Sequence, residues 1–486
     1  MRPSWRPEGA TLAETLRGPV APVADAGPNV LLVTAAQLRF DCVGALGNPV
    51  IRTPSLDALA AGGIVFRNAY TASTDGAAAR RSLLSGIAPS AAAGRGMEPA
   101  GLLRGFHERG YRTAAIGDVP LFRGGCDGAV DTLHTVRRDV PGREPDDYHD
   151  GFLAEHGLGR GSGHDSAGEE GWAAPLTEGP DDGRAGPAAQ PRRLSDDLSH
   201  TAWIADRAIG WLASHDPALP FFAWTSFLEP HDPYAPPAPY AEAYQPDAIP
   251  LPPGGSRWRS KPLLTVPRDA RLGGDASPCA REGPLRRAAA LYYGLVSHLD
   301  HHVGRILSAL GRLGLRDRTI VIVTSDHGDY LGQYGLCATR PNVPYDALAR
   351  VPLIVGLPAG GPGERGASCA ALVSTMDILP TLAGMAGVDA PRGAQGRDVR
   401  GVLRDPGTSR NQPVFVETGA FRAVRSERYK YVYSGRWSEG ELYDVLADPF
   451  EMSDLSDELP EVVRDHRGLL LDWAIACGME GGTEMG

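Results

Sequence analysis

A chain of 486 residues, 42% hydrophobic and 22% charged, has ordinary globular composition and enough length for one large core plus a smaller one, which excludes a disordered or fibrous protein. Its net charge of −11 argues against a nucleic-acid partner, because phosphate binding needs a basic face that its motifs do not supply. Residues 1–26 carry Arg2, Arg6, Glu8, Glu14, Arg17 and Asp25 without an apolar run of signal-peptide length, and no later stretch approaches a membrane span, so a cytoplasmic protein with no membrane partner is expected.

After this N-terminal extension, "PNVLLVT" (Pro28 to Thr34) has the apolar run of a buried parallel strand. "TPSLDALAAGG" follows as a predicted helix, with Thr53 as N-cap, Pro54 in the first turn and Gly62 at its end. "RTAAIG" (Arg112 to Gly117), "FFAWTS" (Phe221 to Ser226) and "TIVIVTS" (Thr319 to Ser325) are further predicted buried strands, each running into a polar loop. In open α/β sheets, ligands sit at such carboxyl ends. Residues 139–191 are rich in Gly, Pro, Asp and Arg without periodicity and read as an irregular insertion. Leu198 to Leu212 and Leu285 to Leu313 show helical apolar spacing. Beyond Val388 come short strand patterns, "PVFVE", "FRAVRS" and "YKYVYS", then a helix from Pro460 to Ile475. The predicted fold is α/β: a doubly wound, mostly parallel sheet flanked by helices over residues 27–387, with a smaller C-terminal antiparallel sheet and helix over residues 388–486.

The six cysteines (Cys42, Cys126, Cys279, Cys337, Cys369 and Cys477) show no CxxC spacing, which suits reduced thiols and no zinc site. Only Lys261 and Lys430 break an all-arginine basic complement. On the long predicted helix, His298 and either His301 or His302 have the spacing to touch. With no third ligand nearby in sequence, that cluster, which includes Asp300, is predicted to be a solvated or interface face.

Several segments in order from Gly27 to Cys477 carry more specific information. They include "NVLLVTAAQLRFDCVGALGNP", "STDGAAARRSLLSG" (Ser73 to Gly86), "GYRTAAIG", "FLEPHDPY", "VTSDHGDYLGQYGL", "STMDILPTLAGMAG" and "SERYKYVY". Together they resemble the sulfatase and phosphonate monoester hydrolase branch of the alkaline phosphatase superfamily. The resemblance implies an alkaline phosphatase-like fold. It also implies a Cys or Ser oxidised to formylglycine at the position of Gly76, a residue with no side-chain atom to oxidise.

Carried over position by position, the resemblance implies a depleted site. The strand end that should supply metal-binding carboxylates reads Ala35, Ala36, Gln37, while Ser325, Asp326, His327, Gly328 keep the second metal motif. Gln37, Asp326 and His327 are therefore the candidate metal ligands, too few for anything beyond a loosely held calcium or magnesium ion, since such ions take six or more oxygens. Two anion-binding lysines fall on Asp118 and Thr339, a histidine falls on Tyr334, and Pro120 stands in the place of another. Asp118, Tyr334, Thr339 and Ala36 are accordingly expected at the wall of the pocket, which moves by about three charge units towards negative. Oxyanion stabilisation would be removed or reversed.

Arg80 and His231 are retained in catalytic slots. Arg80 is open to two readings, an anion contact or a structural ion pair, and His231 to two others, a ligand contact or a turn lock. Thr74 and Asp75 are the neighbouring replacement nucleophiles for the Gly76 slot. The expected function is that of a pseudoenzyme: a sulfatase-like protein with no confident cofactor, binding a small-molecule ligand or a protein partner, with oligomeric state left open. The alternatives are a sulfate, phosphate or phosphonate ester hydrolase using a non-standard nucleophile or metal-bound water, and a repurposed enzyme of specialised metabolism.

Overall fold

The computed structural model describes residues 27–93, 101–119, 130–136, 147–156, 195–253, 261–265, 282–339, 341–361, 363–390, 393–408, 412–435 and 438–478. Its large sheet is built from β1 (Asn29–Ala35), β2 (Ile64–Tyr70), β3 (Arg112–Gly117), β4 (Thr132–Thr135), β5 (Phe221–Phe227), β6 (Thr319–Ser325), β7 (Arg350–Gly356) and β8 (Ala367–Ser374). They lie in the order β4-β3-β5-β1-β6-β7-β2-β8. All neighbours are parallel except β7, which is antiparallel to both β6 and β2. The three sequence-predicted central strands, β1, β5 and β6, stand side by side with Ala35 opposite both Phe227 and Ser325. Their carboxyl ends therefore open onto one region.

The longer helices are α1 (Pro54–Ala61), α2 (Gly76–Ser85), α3 (Gly101–Glu108), α4 (His200–Ser214), α5 (Glu282–Arg312), α6 (Ile378–Ala386) and α7 (Pro460–Ala476). Strand alternation assigns them to layers. Leu31 and Val33 of β1 share a core with Leu56 of α1, Trp203 of α4 and Leu299 of α5. Val30 and Leu32, on the opposite face, pack with Leu83 of α2, Phe106 of α3 and Leu379 of α6. This is a helix-sheet-helix sandwich. A four-stranded antiparallel sheet follows, β9 (Val414–Glu417), β10 (Phe421–Arg425), β11 (Tyr429–Ser434) and β12 (Glu439–Asp444), in the order β12-β11-β10-β9. One of its faces packs on α7 through Val424, Tyr431 and Leu442. The other packs on the large domain through Val416, Ala423 and Val432, against Tyr70, Tyr330 and Tyr334.

Of the irregular insertion, residues 147–156 are described and include a wide helical turn, Asp147–Leu153; the rest of 139–191 lies outside the described residues. The thiol expectation needs correction. Cys42, Cys369 and Cys477 are free and buried, but Cys337 is disulfide-bonded. Among the described residues, no helix is long and apolar enough to cross a membrane.

Candidate functional site

Three strand ends and one helix start build the site. Beyond β1 the chain turns through Gln37, whose φ of 63° is the left-handed conformation. Its backbone N–H donates to Asp326 Oδ1 at 2.9 Å. Beyond β6, Ser325 Oγ donates to the Ala35 carbonyl at 2.9 Å and receives the Leu38 N–H at 2.9 Å. These bonds fix both strand ends in one register. At the end of β3, Gly117 has φ 106°, and a Cβ there would lie 2.0 Å from the Ser226 carbonyl oxygen. Only glycine permits that approach, and it delivers Asp118 into the same space.

Helix α2 begins at Gly76, capped by Asp75, whose Oδ1 accepts the Ala78 N–H at 2.9 Å. Gly76 points inward: a Cβ built on it would sit 3.1 Å from Asp326 Oδ2, 3.4 Å from His327 Nε2 and 3.7 Å from an Arg80 guanidinium nitrogen. Four residues on and on the same face, buried Arg80 donates to Asp326 Oδ2 at 2.9 Å and lies 3.3 Å from Asp118 Oδ2. Gly76, Arg80, Asp118, Asp326 and His327 thus form one cluster. Asp118, expected at its wall, is an ion-pair partner at its centre.

Burial works against the charge of Arg80, but Asp118, Asp326 and Asp75 outweigh it and hold the guanidinium above its ordinary pKa. The cluster contains one cation and two buried carboxylates, with a third carboxylate at the cap. A dianion entering it would meet a committed guanidinium and net negative charge. His327 Nδ1 bonds the Gly328 carbonyl at 2.9 Å, so Nδ1 carries the proton and Nε2, facing Gly76, is the acceptor of the neutral ring.

The donor set does not fit a calcium or magnesium ion. Asp326 Oδ1 already receives the Gln37 N–H and, at 2.7 Å, the His327 N–H, while Oδ2 receives Arg80. Ala36 offers no ligand, and Gln37 Oε1, buried without a hydrogen-bond partner, is the one uncommitted oxygen of the three candidate ligands. A hard cation needs several such oxygens and would have to displace the guanidinium.

Other candidates have commitments elsewhere. Thr74 Oγ1 donates to the Asn342 carbonyl at 2.8 Å, and Asp75 is the helix cap. The His231 ring pairs with Asp232 of its own turn, 3.2 Å from Oδ1. Tyr334, read as a wall residue, is fully buried with its hydroxyl on the Phe450 carbonyl at 2.8 Å. It belongs to the interface with the small sheet, because a left-handed turn at Tyr334 (φ 58°) sends the segment there. Half-buried Thr339 has no polar contact with the cluster among the described residues. The sequence reading missed Tyr234, whose hydroxyl donates to Asp329 Oδ2 at 2.7 Å and ties the His231 turn to the segment after β6. It also missed Arg39, which braces the same segment through the Asp329 and Tyr330 carbonyls.

The sulfatase family model matches residues 28–388, the whole of the large sheet and its helices. The chain belongs to the sulfatase family. A second family model, the C-terminal region of N-sulphoglucosamine sulphohydrolase, matches residues 332–465. Among curated relatives, the chain is 28% identical to an arylsulfatase of Clostridium perfringens, covering 91% of this chain and 94% of the relative. It is 27% identical to a multifunctional alkaline phosphatase superfamily protein of Trinickia caryophylli, over 92% of this chain and 95% of that protein. The solved phosphonate monoester hydrolase of Agrobacterium radiobacter superposes with a TM-score of 0.72 at 25% identity, covering 93% of this chain and 96% of that one. For all three, more than nine-tenths of each chain is covered.

Proposed function

We propose that this sulfatase-family protein does not hydrolyse sulfate esters by the formylglycine route and that its site instead binds a small molecule or serves a protein partner. One observation carries the reading: Arg80, in a catalytic slot, is spent on a buried ion pair with Asp326 and Asp118. Two further features support it. The nucleophile slot is Gly76, and both carboxylate oxygens of Asp326 are occupied by N–H donors. A site with this charge favours a neutral or cationic ligand over a sulfate or phosphate dianion.

A second reading, ester hydrolysis by another nucleophile, is favoured by the acceptor nitrogen of His327 facing the open Gly76 position and by the hydrolase names of the relatives. Turnover of aryl sulfate, phosphate and phosphonate monoesters by the purified protein separates the two. Our reading expects no turnover, none gained by Gly76→Cys, and a co-purifying small molecule in native mass spectra that is lost in His327→Ala. Turnover abolished by His327→Gln would establish the second reading instead.

A further inference from the structure

The histidine cluster on α5, expected from its sequence to be a solvated or interface face, divides in the structure. His301 is exposed, but His298 and His302 are buried, and a partner about a hundred residues away in sequence meets them. His298 Nε2 lies 2.6 Å and His302 Nε2 2.9 Å from the same Asp196 Oδ1. The two rings stand edge to face with centroids 4.8 Å apart. The i, i+4 spacing puts both imidazoles on one helix face, the arrangement by which helices present paired histidines to a metal. All three potential ligand atoms lie within 4.8 Å of one another.

We propose that Asp196, His298 and His302 form a binding site for a borderline divalent transition metal such as zinc or cobalt, and that Arg305 gates it. Two imidazoles and one carboxylate are the donor set such metals prefer; calcium and magnesium take oxygen ligands instead. Asp196 is about one-third exposed, which leaves a fourth position for water. With metal–ligand bonds of about 2.0–2.2 Å, tetrahedral ligand atoms stand about 3.3 Å apart. The two Asp196–histidine distances therefore lengthen by roughly half an ångström from the hydrogen-bonded state.

The gate follows from proton placement. Arg305 donates to His302 Nδ1 at 3.0 Å, and arginine can only donate, so His302 holds its proton on Nε2 and gives it to Asp196. For Nε2 to bind metal, that proton must leave and the neutral ring must take one on Nδ1, where it would confront the Arg305 N–H. Arg305 must then swing away. It lines an open cleft with His301, Gly304 and Ser308, and its other tie, to Asp206 Oδ1 at 2.5 Å, is at the surface. The Nδ1 of His298, buried without a partner, accepts a proton with no such conflict.

The test is titration of chelator-stripped protein with cobalt, followed by its visible absorption, and with zinc by calorimetry. One equivalent should bind, and His302→Gln should weaken binding at least tenfold. Arg305→Gln, which exchanges the opposing donor for a side chain whose carbonyl can accept the Nδ1 proton, should tighten binding about tenfold. Because Arg305 lies at the surface, this variant keeps the fold even if a buried histidine change does not. No saturable binding in either the wild type or Arg305→Gln, or binding indifferent to both changes, would overturn the site; weaker binding in Arg305→Gln would overturn the gate.

Discussion

At Arg80 a single guanidinium is the shared counter-charge of Asp118 and Asp326, both 3% exposed. Its removal would leave two buried carboxylates without a counter-charge. Breaking such a pair from one side costs about 3–5 kcal/mol, so Arg80→Ala should lose that much stability in urea unfolding. Adding Asp118→Asn to Arg80→Ala should recover part of the loss, and equal losses in single and double variants would show that the pair is not coupled. The identities at this site were legible in the sequence, because Gly76, Asp118 and Asp326 occupy fixed places in recognisable motifs. What was not legible was that Asp118, read as a substituted lysine, would find Arg80. That contact joins the end of β3 to the first turns of α2, and only the folded sheet brings them together.

Asp329 gives the segment after β6 a pH dependence. Burial first, with Asp232 adding to it against the hydrogen bond from Tyr234, pushes its carboxyl up to about 7 from an ordinary 3.8. Between those values the unfolded carboxylate is ionised while the folded one keeps its proton. The folded state then binds more protons, and stability falls as pH rises. Asp329→Asn should therefore gain on the wild type from about pH 4 to pH 7, by ~4 kcal/mol in all. A constant difference between their unfolding free energies across that range would refute the shift.

The small sheet also supports the loop before α2. Glu417 receives the Trp473 indole N–H at 2.7 Å and the Ser90 N–H at 2.8 Å on its two carboxylate oxygens, while its carbonyl receives Ser73 Oγ at 2.6 Å. Glu417→Ala, which keeps the backbone carbonyl that Ser73 bonds, should cost about 2–3 kcal/mol and raise amide exchange at Ser90. Unchanged exchange there would mean that the Ser90 segment holds itself. The sequence reading placed the strand containing Glu417 but not its role as a prop. It also passed over β2, β4, β7, β8 and β12; β2 and β8 mix polar residues among the apolar ones.

The molecule has a sulfatase-family scaffold, a mixed eight-stranded sheet with a C-terminal sheet and helix, and at its strand ends Arg80 is held between Asp118 and Asp326. Its two lysines lie elsewhere. Both are buried, Lys430 paired with Asp346 at 2.7 Å and Glu451 at 2.8 Å, and Lys261 enclosed by the rings of Tyr334, Tyr345 and Tyr443 at 4.2–4.5 Å. Neither serves the site. The architecture was legible because apolar strand runs and family-ordered motifs are local signals, whereas the ion pairs and the Asp196 contact join residues distant in sequence. Calorimetric titration of the purified protein with calcium tests the proposed reading of the site most directly, since it asks whether Asp326 is available to a cation other than Arg80. The expected result is no saturable binding tighter than about 0.1 mM; a stoichiometric, tighter calcium site that disappears in Asp326→Asn would contradict it.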